Sequence, residues 1–398
     1  MSDPVQPRER LVTLDVLRGI ALCGVMIGNM VLYSGRWAGD SERSSSILDM
    51  IAGLFVHVFV DSKAQTLLTL LFGFGFAIQL LRAEARGEPI VGIYVRRLLA
   101  LFVLGALHVY LLWWGDVTWT YAVAGVGMLA FIRASNLVRV VVGILFIFVP
   151  FLLQMAFPEI GAAAVSVFME PREMRTYTEA MLAAMHSPDH AGLGVAHVTY
   201  ALAWVANIYV WYFLWTLGRF LLGYIAGQRR WFERDGADHL VVFRRLALWG
   251  GLVGLATIAL DILAMVGVFS LREFGTAGRL TATALQQVHY LAMALAYVGI
   301  VVLLMQRRLW RRLLGILAPV GRMPLTTYFM QSVVCTFIFY GWGLGWAGEV
   351  GIAGCLGLAL SIFAVQIVIA HVWLHYFRFG PLEWVWRMAV YLKPQRMR

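Results

Sequence analysis

The sequence predicts an all-α polytopic membrane protein, and three observations predict it. Of its 398 residues, 61% are hydrophobic and only 14% charged, whereas a soluble globular chain carries about 25% charged residues. The mean hydropathy is +0.77. Apolar runs of about 20 residues, each long enough for a membrane helix, recur from one end to the other. The basic residues cluster in alternate loops between those runs, which is how membrane proteins record their orientation. A net charge of +10 distributed this way is a topology signal, so a nucleic-acid partner is not expected and a lipid bilayer is.

About ten spans are expected, at 12–33, 63–81, 94–114, 117–132, 138–157, 199–226, 246–270, 283–305, 313–340 and 350–376. The first apolar run contains Asp15 and Arg18 and lacks a small-residue cleavage site, so it reads as a span and not as a secretory signal. Residues 47–60 are apolar but too short to cross comfortably, and read as an interfacial or re-entrant helix. One set of loops, with the two ends of the chain, holds twenty-two Lys and Arg, and the opposite set holds six. By the positive-inside rule both termini lie in the cytoplasm, and the even number of spans agrees. The expected home is the cytoplasmic (inner) membrane of a bacterium.

The chain is expected to form a single transmembrane bundle over 1–398, with no soluble catalytic domain. One outer-side loop, 158–198, has appreciable size. Its stretch EPREMRTYTEAMLAAMH alternates charged and apolar residues at helical spacing, predicting an amphipathic surface helix. Residues 377–398 read as a cytoplasmic interfacial tail. Cys23, Cys335 and Cys355 lie in apolar runs without CxxC spacing, and read as packing residues. LFGFGFAIQLLR and FLLGYIAGQRR are alike, a faint trace of internal duplication.

Ionisable residues inside spans are costly and point to function. Asp15 and Arg18 share a helix face at i, i+3 and can pair, although Arg18 would equally serve as a snorkelling anchor. Asn29 follows eleven residues later, where it could bond a neighbouring helix. Lys63 is one of two lysines among thirty arginines; it opens a span beside Asp61, as an interfacial anchor or as a cation for an anionic group. Gly73 and Gly75 suit close helix packing. His108 lies six residues before Trp114, roughly 9 Å below an outer turn at Gly115-Asp116. It is either a helix-to-helix hydrogen-bonding residue or a general base oriented by a carboxylate, and Asp116 is either that carboxylate or a turn residue. In GRMPLTTYFMQS, Pro324 should kink or break the start of the helix. Arg322 could hold a phosphate or anchor the helix, and Gln331 lies mid-span. Asp15 and Gln331 therefore belong to the polar interior of the bundle. His371 and His375 have i, i+4 metal spacing but no evident third ligand, so no metal site is expected. Glu383 and Arg387 are spaced as a helical pair on a short helix after Gly380-Pro381.

These clusters also carry a resemblance. TLDVLRGIALCGVMIGN, SKAQTLLTLLFGFG, RRLLALFVLGALHVYLLWWGD, GRMPLTTYFMQS and YFRFGPLEWVWR, in that order, resemble the YeiB family of bacterial membrane proteins, whose C-terminal half defines domain of unknown function 418. That family is grouped with the transmembrane acyltransferases. The resemblance implies acyl transfer from cytoplasmic acyl-CoA, with no resident cofactor, to a sugar or other hydroxyl acceptor on the outer side. The related acyltransferase-3 proteins carry an Arg, ten residues and then an essential His in the first span. Arg18 occupies the matching place, but position 29 is Asn29, which cannot act as a base. Either His108 supplies the base, with Lys63 or Asn29 steadying the oxyanion and Arg18 and Arg322 on the donor phosphates, or the chemistry has changed. A small-solute transporter and a non-catalytic membrane protein are the alternatives, since intramembrane charges suit transport equally.

Overall fold

A computed structural model describes residues 11–38, 46–85, 87, 90–157, 159, 163, 173–205 and 212–398. Its α-helices are α1 (Val12–Tyr33), α2 (Ile47–Phe59), α3 (Lys63–Ala85), α4 (Ile90–Leu111), α5 (Thr118–Met128), α6 (Asn136–Ala156), α7 (Met174–His186) and α8 (His190–Trp204). The second half adds α9 (Tyr212–Gln228), α10 (Leu240–Met265), α11 (Gly275–Met305), α12 (Arg308–Gly315), α13 (Ala318–Arg322), α14 (Pro324–Phe339), α15 (Ile352–Tyr376) and α16 (Pro381–Tyr391). No strand occurs among the described residues. Residues 1–10, and with them the expected placement of the N-terminus, lie outside the described residues.

Among the described residues, seven helical segments are long and apolar enough to cross a bilayer: Val12–Tyr33, Ile47–Ala85, Val91–Leu111, Asn136–Leu153, Glu233–Met265, Gly275–Met305 and Ile352–Tyr376. The remaining expected spans take other forms. Apolar helix at 118–131 and 324–339 is shorter. The stretch 199–226 is divided between α8 and α9, with 206–211 outside the described residues. The stretch 313–340 is cut into α12, α13 and α14; Pro324, which lacks an N–H and restricts the residue before it, opens α14 at the last break. At Ser62 the backbone turns left-handed, φ 58°, separating α2 from α3. The outer faces of the bundle show large apolar side chains, including Leu99, Phe102 and Val103 on α4 and Val365, Val368 and Val372 on α15. Contiguous exposed apolar surface of this kind suits lipid.

In lipid the apolar effect does not drive helices together, and close packing of small residues does. The two look-alike segments are partners in such a contact. A Cβ at Gly73 of α3 would sit 1.9 Å from the Phe220 carbonyl oxygen of α9, and one at Gly223 would sit 1.9 Å from that of Leu70. Gly227 meets Ala77 in the same way, so the contacts rise together and the two helices run parallel. Gly75, by contrast, meets nothing within 4 Å; of the two glycines, only Gly73 serves the crossing. Helix α1 is similarly pressed onto α13, with Gly321 against the Asp15 carbonyl and Gly19 against that of Leu317. Helices α10 and α11 meet through Gly250 and Gly299.

The amphipathic helix α7 turns its apolar face to the protein. Tyr177, Met181 and Met185 are buried in a cluster that contains Tyr33, Trp113 and Tyr340, while Arg175 and Glu179 pair on the exposed side at 2.8 Å. It therefore covers that end of the bundle instead of resting on lipid.

Among the described residues, three helices are capped by carboxylates from elsewhere in the chain, α1 by Asp235, which accepts from Thr13 N–H at 3.1 Å. Asp49 of α2 accepts from Ala353 N–H, 2.8 Å, at the start of α15. Glu383 of α16 accepts from Leu325 N–H at 2.6 Å, Thr326 N–H at 3.1 Å and the Thr326 hydroxyl at 2.6 Å. The first N–H groups of a helix have no partner within it, and an anion there also meets the positive end of the dipole. The expected Glu383–Arg387 motif thus has another use: Glu383 ties the tail to α14, and the Arg387 guanidinium lies 4.4 Å over the Phe379 ring.

Two outcomes follow for thermal unfolding in detergent. Gly73→Leu should fail to fold or lose 3 kcal/mol or more, since overpacking a close contact costs about 1–3 kcal/mol even where atoms can shift, whereas Gly75→Ala should stay within about 1 kcal/mol. Glu383→Ala should cost roughly 1–3 kcal/mol by orphaning buried donors, with Glu383→Gln, which keeps an acceptor oxygen, losing less.

Candidate active site

Helix α4 ends where Leu112 N–H and Trp113 N–H both bond to the His108 carbonyl. The chain then reverses through Trp113, Trp114, Gly115 and Asp116 into α5. Asp116 stands one residue before Val117, the N-cap position of α5, and its side chain caps the helix start: Oδ1 accepts from Thr118 N–H at 2.8 Å, the Thr118 hydroxyl at 2.8 Å and Trp119 N–H at 3.2 Å. Side chains of this type suit that position because a short carboxylate reaches the unpaired N–H groups of the first turn. Capping turns the carboxylate inward and leaves Oδ2 3.1 Å from His108 Nδ1. The contact is one of ion-pair distance and lacks the geometry of a hydrogen bond, and among the described residues neither atom has a hydrogen-bond partner. Of the two readings the sequence left for Asp116, both have a counterpart here: it stands in the hairpin turn and beside the imidazole.

The other ring nitrogen meets a third residue. His108 Nε2 lies 2.7 Å from the Ser332 hydroxyl on α14, and Tyr33 OH of α1 lies 2.6 Å from the same oxygen. The imidazole is packed against Tyr328, 5.2 Å between centroids, and Phe329, 4.5 Å. Relative exposure is 1% for His108, 4% for Asp116, 0% for Ser332 and 1% for Tyr33. Four buried polar groups from three helices and one hairpin thus form a line from Tyr33 through Ser332 and His108 to Asp116. In the tautomer that carries its proton on Nδ1, beside the carboxylate, Nε2 is a lone pair facing a hydroxyl. That is the arrangement of a base held by an acid partner against a nucleophile.

A cavity of about 350 Å³ opens beside this line, at the end of the bundle away from the arginine-rich loops. Its polar wall is Asn29, Asp61, Gln65, Asp116 and Thr120, and its aromatic wall includes Trp114, Trp119, Trp204 and Tyr212. Gly28 also lines it, with nothing within 4 Å of a Cβ placed there. Asp116 belongs to both the cavity and the line. The rings of His108 and Tyr33 and the hydroxyl of Ser332 stand behind the wall.

The remaining sequence candidates fall into two groups. Asn29 faces the cavity. Lys63 does not: it is fully buried, its ammonium donates to the His57 carbonyl and lies 5.4 Å over the Tyr290 ring. The cause is the turn at Val60–Ser62, which starts α3 with its first residue facing α2 and α11. His57 pairs with Asp261 at 2.7 Å in the same region. Arg18 pairs with Asp15 at 2.9 Å, at the arginine-rich end of α1. Arg322 ends α13, which packs on that same stretch of α1. Gln331 donates to Gln366 Oε1 at 3.1 Å, and Gln366 in turn donates to the Thr327 carbonyl, so Gln331 is an interhelical tie. His371 bonds its own helix at the Ile367 carbonyl, and no group of three or more His, Cys, Asp or Glu suited to a metal occurs among the described residues.

Sequence reasoning missed Ser332, Tyr33 and two buried arginines. Arg139 collects the Phe131 and Ile132 carbonyls and the side chains of Asn136 and Gln228. Arg219 lies 3.2 Å over the Trp215 ring and 3.4 Å from Gln287 Oε1. Ser332 stood beside Gln331 at the end of GRMPLTTYFMQS, and a lone serine in an apolar helix carries no signal of its own.

Residues 226–393 match the family model described as "Protein of unknown function (DUF418)", a segment that includes Ser332 but neither His108 nor Asp116. The chain is 30% identical to the uncharacterized protein YxaH of Bacillus subtilis, over 98% of this chain and 97% of that protein. It is 27% identical to an uncharacterized 39.9 kDa protein in the amylase 3' region of Bacillus acidopullulyticus, over 98% and 96%. Escherichia coli YeiB, also uncharacterized, is 26% identical over 95% and 96%. No solved structure matches the chain. Likeness to YxaH over nearly the whole of both chains, together with the match to the family model, makes this protein a member of the DUF418 family.

Proposed function

We propose that the protein is a membrane-embedded acyltransferase that moves an acyl group from acyl-CoA to a hydroxyl acceptor, such as a sugar. The observation that carries this reading is His108 held between Asp116 and a hydroxyl. A carboxylate that orients the imidazole also stabilises the imidazolium formed when the ring takes a proton. The burial of the trio removes competing water, which strengthens its electrostatics.

The two ends of the bundle suit two substrates. The arginine-rich end, read as cytoplasmic, presents Arg18 and Arg322 to the donor phosphates, which guanidinium groups bind in a fork. The opposite cavity presents tryptophan faces beside amide and carboxylate groups, a lining that suits a polyhydroxylated acceptor: rings cover C–H surface and the polar groups fix the hydroxyls. Arg18 and Asn29 are eleven residues apart on α1, roughly 16 Å by helical rise, a distance on the scale of an extended pantetheine arm. In the conformation described here the His108 Nε2 is occupied by Ser332, so the reaction requires the α1–α14 seam to part and admit the thioester. The proposed residence is the bacterial cytoplasmic membrane, with about ten spans in one bundle.

Purified protein in nanodiscs should bind acyl-CoA and turn it over. His108→Ala should lower turnover by about 10²–10⁴-fold, the usual contribution of a general base, with donor affinity changed by less than about twofold. Arg322→Ala should do the reverse, weakening donor binding about tenfold, or 1.4 kcal/mol. Failure to bind acyl-CoA, combined with solute uptake in proteoliposomes, would replace acyl transfer by transport. A second variant tests the acceptor end. Gly28→Leu should fill part of the cavity, since the new side chain enters open space, and should abolish transfer to the acceptor while acyl-CoA binding persists.

A further inference from the structure

We infer that Ser332 carries the acyl group, as a covalent ester, between the donor and the acceptor. The inference rests on the acyltransferase reading and adds a residue and an intermediate to it.

The hydroxyl of Ser332 is not placed as helix serines and threonines usually are. Such hydroxyls bond back to the carbonyl of the preceding turn. Thr336, one turn on in the same helix, does so at 2.8 Å to the Ser332 carbonyl, and Thr66, Thr257 and Ser361 do so at 2.7–2.9 Å. Ser332 is 3.4 Å from its own Tyr328 carbonyl but 2.7 Å from His108 and 2.6 Å from Tyr33. Its hydroxyl is drawn out of its helix toward a base on α4 and a phenol on α1. In the tautomer with the proton on His108 Nδ1, the Ser332 O–H can donate to Nε2 and the Tyr33 O–H to Ser332 Oγ, while the Asp116 carboxylate lies 3.1 Å from Nδ1. That tautomer has the polarity needed to activate Oγ.

The step balances as two acyl transfers. Ser332 Oγ attacks the thioester carbonyl carbon and its proton passes to His108 Nε2. The C–S bond breaks, His108 returns that proton to the leaving thiolate, and free CoA departs, leaving acyl-Ser332. An acceptor hydroxyl then attacks the ester carbonyl and gives its proton to His108. The C–Oγ bond breaks, and the proton restores Ser332. No oxidant, metal or further co-reactant enters.

Such an intermediate accumulates when the acceptor is withheld. Intact protein in nanodiscs is incubated with acetyl-CoA alone, quenched in acid and read by peptide mass spectrometry. Acetylation of Ser332 approaching one group per chain is expected, and its absence in both Ser332→Ala and His108→Ala. Ser332→Ala should lower transfer by about 10³-fold or more. Ser332→Cys keeps a nucleophile and guards against loss of fold: it should trap a thioester released by neutral hydroxylamine. If Ser332→Ala transfers acyl groups at the wild-type rate, or wild-type protein turns over without an acylated Ser332, the covalent step is overturned and direct transfer by His108 stands. If folded wild-type protein neither binds nor turns over acetyl-CoA, the acyltransferase reading falls and this step with it.

Discussion

The two oxygens of Asp116 do different work, and the site depends on that division. Oδ1 gathers two backbone N–H groups and a hydroxyl at the start of α5, so the carboxylate cannot swing into the cavity it borders. Oδ2 is then fixed 3.1 Å from His108 Nδ1. A structural requirement, the capping of a helix inside an apolar bundle, and a chemical one, the orientation of an imidazole, are met by one side chain. The hairpin between α4 and α5 is what makes this possible: eight residues separate His108 from Asp116 in sequence, and the reversal brings them together.

The rest of the bundle holds three helices at the distances this line needs. Tyr33, His108 and Ser332 come from α1, α4 and α14, and no loop positions any of them. Helix α1 is seated by Gly19 and Gly321 contacts too close for any Cβ. Helix α14 is fixed at its start by the Glu383 cap and in its middle by the Gln331–Gln366 pair. Helix α4 is bound near its other end by Trp386, which donates to the Arg97 carbonyl at 3.3 Å and lies under the Arg97 guanidinium. Sites built on packed helices keep their geometry better than sites on loops. The α7 helix closes the structure above Tyr33 and Trp113, which excludes water from that side.

Much of the architecture was legible in the sequence because the bilayer imposes it. Helical runs, alternate arginine-rich loops and the breaks at Gly115-Asp116 and Pro324 all follow from local chemistry. His108 was also legible as an oddity, a ring nitrogen in an apolar run. Its partners were not equally visible. For Asp116 the two readings, a partner of the imidazole or a turn residue, stayed level because hairpins favour aspartate on their own account. Ser332 and Tyr33 lie 224 and 75 positions from His108 and obey no spacing rule. The direction of Lys63 was not visible for a related reason: a turn of three residues decides which way the first side chain of α3 faces, and a period of 3.6 does not carry across a break. Gly73 and Gly75 show the same limit, since two glycines of one motif met a backbone in one case and open space in the other.

The polar groups of the bundle divide by what a purely structural account requires. Gln331 with Gln366, and Glu383 at the start of α14, satisfy donors and acceptors that the fold itself creates, and end there. The His108–Ser332–Tyr33 portion creates needs of its own. None of its three side chains caps a helix, and Leu, Ala and Phe at those positions would pack in the same space without buried polar atoms. A buried ionisable pair gains little stability over apolar side chains of similar volume, and in a bilayer the cost of an unsatisfied member is higher still. Stability therefore explains Asp116 but not the imidazole and the hydroxyl aligned on it. What that alignment does provide is a hydroxyl against one nitrogen of an imidazole and a carboxylate 3.1 Å from the other, beside a cavity large enough for a small ligand. Chemistry at the Ser332–His108 contact is the role that this arrangement favours.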